Sequence, residues 1–66
     1  MLVLNQWRNN IVNIDNMSKI FVENSVVFVE NDKEKYILGS YKSNMRAVEV
    51  LLEIFKATNK YEMPAE

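Results

Sequence analysis

Hydrophobic and polar positions divide the chain near residue 42. Before that point, Val, Ile, Leu, Phe and Tyr come in short runs cut by Asn, Asp and Ser, which is the pattern of brief strands joined by tight turns. The runs predict strands over Leu2–Gln6, Ile11–Ile14, Lys19–Glu23, Val26–Glu30 and Tyr36–Tyr41. Arg8-Asn9-Asn10 and Asn24-Ser25 provide turns, with asparagines that tolerate positive φ. Asp15-Asn16-Met17-Ser18 breaks the pattern, and Asn31 to Lys35 forms a charged loop. Within Ile20-Phe21-Val22 and Val26-Val27-Phe28-Val29 the apolar residues do not alternate with polar ones. The central hairpin therefore carries apolar side chains on both faces, and one helix covers only one of them.

A helix is predicted from Asn44 to Asn59, with Ser43 as its N-cap. Arg46 stands where a capping box would place Glu or Gln, so the start is capped singly. At helical spacing Arg46, Glu49, Glu53, Lys56 and Lys60 share one polar arc. Ala47, Leu51 and Ile54 lie on one apolar side and Val48, Leu52 and Phe55 on the adjoining side, while Val50 and Ala57 flank the polar stripe at its far edge. The apolar arc of roughly 220° is about twice the stripe that packing on one sheet requires. A second neighbour is therefore expected, and Val48, Leu52 and Phe55 are assigned to contact with another copy of the chain; the alternative is that Leu52 and Phe55 shield strand edges within a monomer. Residues 60–66 follow as an extended tail, because the residue before Pro64 is driven out of the helical region. Tyr61 and Met63 are expected to fold back onto the core. The fold expected is a single α+β domain over residues 1–66: an antiparallel meander of about five short strands in 1–41, packed by one C-terminal helix in 43–59, with a tail at 60–66.

Composition narrows what such a domain does. With 66 residues the core is thin, and a chain with no cysteine and no histidine cannot use disulfides or the common zinc sites to reinforce it. A hydrophobic fraction of 48% beside 26% charged residues is that of a folded chain. Tight packing or self-association must then supply the stability. Net charge is −1, which disfavours nonspecific nucleic-acid binding through a basic surface. Met1-Leu2-Val3-Leu4 is too short for a signal segment, and no run approaches a membrane span. A soluble, cytoplasmic protein is expected, without cofactor or metal.

Acyl transfer through a Ser-His or Cys-His pair cannot be assembled from this sequence. Glu23, Glu30, Asp32 and Glu34 read as a solvated charged end of the hairpin that opposes edge-to-edge aggregation. Asp32-Lys33-Glu34 lacks the spacing and glycine of a calcium loop, and Gly39 alone makes no phosphate cradle. The expected function is therefore binding. Trp7, Arg8, Asn9 and Asn10 place an aromatic ring, a guanidinium and two amides on one turn, chemistry suited to stacking on a base or anchoring in a protein pocket; the plainer alternative is that Trp7 closes the end of the core. Tyr41, Lys42 and Arg46 gather around the helix N-terminus, where free N–H groups favour an anion; the alternative there is an ordinary N-cap.

Ile37-Leu38-Gly39-Ser40-Tyr41-Lys42-Ser43, Arg46-Ala47, Val50-Leu51-Leu52-Glu53-Ile54-Phe55 and the closing Tyr61-Glu62-Met63-Pro64, with Val3-Leu4-Asn5-Gln6 and Ile11 to Asn16 in the first half, resemble a group of small proteins common in phages and prophages of Gram-positive bacteria. The resemblance spans most of the chain and implies a strand-then-helix fold inside a host bacterial cell. Asn44-Met45 stands where the group often has an acidic residue, and the Trp7-Arg8 turn is particular to this chain. By analogy with small phage proteins of this kind, the expected role is a non-catalytic, homo-oligomeric accessory protein that binds and blocks a host defence protein. Sequestering a nucleotide immune signal, serving phage assembly or regulation, and acting as a nucleic-acid adaptor are the alternatives.

Overall fold

A computed structural model describes residues Met1–Glu66. Its strands are β1 (Leu2–Leu4), β2 (Ile11–Asn13), β3 (Lys19–Glu23), β4 (Val26–Glu30), β5 (Lys35–Ser40) and β6 (Lys60–Glu62), and its helix α1 spans Asn44–Lys56. The α+β class, the early meander and the late helix are as expected. The strands do not form one sheet, however. They make two three-stranded sheets, ordered β2-β1-β6 and β3-β4-β5.

A 3₁₀ turn over Ile14–Asn16 separates the sheets. The Asn13 side-chain oxygen accepts the Asp15 N–H at 3.1 Å, and the Met17 N–H closes the turn on the Ile14 carbonyl at 3.1 Å. An asparagine competing for backbone donors in this way ends a strand. The chain leaves β2 and enters β3, which pairs only with β4. Asn24 and Ser25 both take positive φ, 51° and 67°, and so form the mirror-image turn that suits a two-residue hairpin. Gln6 then ties the two sheets together. Its N–H donates to the Leu38 carbonyl at 2.8 Å and its side-chain oxygen accepts the Ser40 N–H at 2.6 Å.

The tail contributes a strand that the sequence pattern did not reveal. β6 runs parallel to β1, with Leu2, Val3 and Leu4 opposite Lys60, Tyr61 and Glu62. The Leu2 N–H donates to the Asn59 carbonyl at 3.1 Å and the Met63 N–H to the Leu4 carbonyl at 2.9 Å, one bond at each end of the pairing. To reach β1, the helix stops at Lys56 instead of Asn59. Ala57 is extended, and Asn59 turns the chain back at φ 69°.

Val3, Val12, Val27, Val29, Leu38, Tyr41, Ala47, Val50, Ile54 and Met63 form the core, with α1 lying against β3 and β4. Val50 flanks the polar stripe as expected, yet it is fully buried. The reason is the tail. Glu66 pairs with Arg46 at 3.6 Å, and the Tyr61 hydroxyl bonds to the Glu53 carboxylate. The flank of α1 between Arg46 and Glu53, where Val50 sits, is thus roofed by the chain's own last residues. The opposite flank, with Met45, Val48, Leu52 and Phe55, is exposed.

Candidate functional site

The turn between β1 and β2 is organised by a residue that the sequence reading passed over. Asn5 is buried, and its side-chain oxygen accepts the N–H groups of Asn9 at 3.1 Å and Asn10 at 3.3 Å. Its amide nitrogen donates to the Asn9 side-chain oxygen at 2.8 Å. The Asn9 side chain is therefore committed inside the turn. Arg8 adopts φ 63°, and this left-handed conformation swings its guanidinium back across the turn. Nη1 donates to the Met63 carbonyl at 2.9 Å and also lies 3.5 Å from the Asn5 carbonyl oxygen, while Nη2 lies 3.9 Å from the Glu62 carboxylate. Of the four residues assigned to recognition on this turn, Arg8 and Asn9 hold the fold together. Trp7, 52% exposed, remains open to solvent, as does Asn10.

At the helix start, the Ser43 hydroxyl accepts the Arg46 N–H at 3.0 Å, the N-cap bond expected. Asn44 accepts the Ser25 N–H at 3.1 Å and so joins the helix to the β3–β4 hairpin. An acidic group does sit at this N-terminus, and it belongs to the chain itself. The Glu66 carboxylate accepts the Lys42 N–H at 3.3 Å and lies 3.6 Å from Arg46 Nε. Arg46 also pairs with Glu49 at 3.4 Å and stands 5.8 Å from the Tyr41 ring centre. The anion-favouring chemistry read from Lys42 and Arg46 is present, and the tail uses it.

Tyr41 is buried, not presented to a ligand. Its ring lies over Gly39, where a Cβ would come within 2.7 Å of the hydroxyl, and its O–H donates to the Pro64 carbonyl at 2.9 Å. Burial pushes its pKa up to about 12, with Glu66 adding to the rise and Arg46 opposing it. Tyr61 is raised as well, by burial and by its bond to Glu53. The two predicted sites are thus joined by one peptide: Arg8 grips the tail at Met63, Tyr41 at Pro64, and Lys42 with Arg46 at Glu66.

The exposed apolar surface lies on three faces. Along α1, Met45, Val48, Leu52 and Phe55 are 76%, 37%, 51% and 84% exposed. The expected interface residues Val48, Leu52 and Phe55 do share one face, and Met45 extends it by one turn. Beside them is a groove of about 380 Å³ lined by Met1, Ile14, Ile20, Leu51, Leu52, Ile54 and Phe55. Leu2, Leu4 and Ile11 line a smaller groove of about 190 Å³ on the outer face of the first sheet, beside Lys60, Tyr61 and Glu62. The outer face of the second sheet carries Phe21 stacked on Phe28, ring centres 5.2 Å apart, with Lys19 and Lys35 over the rings. No helix is long and apolar enough to cross a membrane.

The chain matches no known protein family, no curated protein and no solved structure. The reading of its surface therefore rests on its own chemistry.

Two outcomes follow from the grip on the tail. Arg8→Ala should lower the unfolding free energy by about 1–3 kcal/mol, measured by urea titration, because it strips a charged donor from a tail carbonyl. A tyrosine with a raised pKa favours the fold fully below its unfolded value, about 10, and that contribution is lost as pH rises towards its folded value. Stability should accordingly fall between pH 10 and about 12, and Tyr41→Phe should make the fall shallower in urea titrations across that range, the remainder coming from Tyr61.

Proposed function

We propose that the chain is a non-catalytic accessory protein of phage type that self-associates and acts by binding and blocking a bacterial host defence protein. The observation that carries this reading is the division of its surface chemistry. Arg8 and Arg46, with the Lys42 N–H, are engaged by the tail, whereas large side chains such as Trp7, Ile11, Leu52 and Phe55 lie open. Buried aromatic and aliphatic anchors carry most of the energy of protein interfaces. A surface of this kind supports a protein target over a small anion.

The helix face and the first-sheet face belong to different elements, so one can serve self-association while Leu2, Leu4, Ile11 and Trp7 meet the target. Sequestering a nucleotide signal would require guanidinium groups free to meet phosphates, and here both already pair with carboxylates or carbonyls. A nucleic-acid adaptor would need open aromatic faces for stacking. Trp7 offers one such face, but Arg8 beside it is bonded to the Met63 carbonyl, and Lys19 and Lys35 stand over the rings of the second sheet at 4.8 and 4.5 Å. A role in phage assembly would use the same apolar faces without an immune target.

Expression in bacteria carrying defined defence systems distinguishes these readings. Phage plating should recover on at least one system, and the defence protein should co-purify with the wild-type chain. Ile11→Lys should abolish both while leaving the circular dichroism spectrum unchanged. No recovery on any system would overturn the proposal, and salt-sensitive retention of single-stranded nucleic acid would favour the adaptor.

A further inference from the structure

We propose that two copies of the chain pair through α1 in antiparallel orientation, each seating its Phe55 in the groove of the other. This inference rests on the self-associating reading above and gives it a geometry. Met45, Val48, Leu52 and Phe55 follow one another at intervals of three, four and three residues, the spacing of a seam along which one helix meets another. All four are exposed, although they stand among the most apolar side chains of the helix. Phe55, the most exposed of them, forms the rim of a recess lined wholly by apolar residues, among them Met1, Ile14, Ile20 and Leu51. A knob and a hole side by side on one face are what a two-fold contact requires, since each copy offers both.

Charge selects the direction. Glu49 and Lys56 stand one heptad apart on the flank of the seam opposite the recess, and both are exposed; Glu49 meets Arg46 through Oε1 alone, at 3.4 Å, which leaves Oε2 for a cation of the second copy. A two-fold axis across the helix near Leu52 brings like flank to like flank: recess meets recess, and Glu49 meets Lys56 of the second copy. A parallel pair would instead lay the charged flank over the apolar recess, where desolvation of both groups opposes it. The sequence thus carries both halves of the complementarity, which points to a second copy of this chain and not an unrelated partner.

Sedimentation equilibrium tests the geometry. The wild type should show about twice the 7.8 kDa chain mass, and Phe55→Lys should sediment as a monomer with an unchanged circular dichroism spectrum. Glu49→Lys should weaken the dimer by about tenfold, and adding Lys56→Glu should bring the affinity back to within about threefold of wild type. A wild type that stays monomeric at about 100 µM would overturn self-association as a whole. A dimer that survives Phe55→Lys, or that the double charge exchange fails to restore, would overturn this arrangement alone and leave another face as the contact. Loss of the folded spectrum in Phe55→Lys would overturn the exposed placement of that ring.

Discussion

The parallel pairing of β6 with β1 is the constraint from which the remaining features follow. Parallel neighbours cannot be joined by a tight turn. Here they stand at opposite ends of the chain, Leu2–Leu4 against Lys60–Glu62, so everything between must come full circle. The helix ends at Lys56 because the chain has to turn back at Asn59 to reach β1. Met63 enters the core directly beyond β6, and the following residues run past both the β1–β2 turn and the helix start. A small domain without cysteine closes itself by sealing its last segment against its first.

This closure changes the meaning of the cations. Read along the sequence, Arg8 and Arg46 are recognition residues, one beside an exposed tryptophan and the other at a helix N-terminus. In the fold they are donors to a peptide of the same chain, and their charges are met by Glu62, Glu49 and Glu66. A guanidinium already bonded to its own chain is poorly placed for phosphate. What remains for recognition is apolar surface on separate elements, and that surface is large for a chain of this size. The proposed role, occupation of a protein target by a self-associated binder, grows from this remainder.

Local features were legible in the sequence where a local physical cause exists. The β3–β4 hairpin has the predicted bounds because two apolar runs flank Asn24-Ser25, which take the positive φ that a two-residue turn demands. The helix starts where Ser43 can cap it, and Val48, Leu52 and Phe55 face outward together as their spacing implies. Features created by distant segments were not legible. A three-residue parallel strand has no periodicity to detect, the burial of Val50 depends on where Glu66 and Tyr61 lie, and Asn5 resembles any turn asparagine until Asn9 and Asn10 close around it. The burial of Tyr41 was hidden for the same reason, since its hydroxyl partner lies on the tail. The division into two sheets had a local trace, the Asn13 side chain capping the following turn, but nothing in the pattern told that cap from an ordinary break between strands.

Native-state hydrogen exchange on the tail measures the closing contact directly. The amide of Met63 donates to Leu4 and that of Leu2 to Asn59. If this pairing closes the domain, both amides should exchange only through global unfolding, with the same protection and urea dependence as the amides of Val27 and Val29 in β4. Exchange of the Met63 and Leu2 amides near the unfolded rate, while β4 stays protected, would show a tail that opens freely and leaves Arg8 and Arg46 available to an outside ligand.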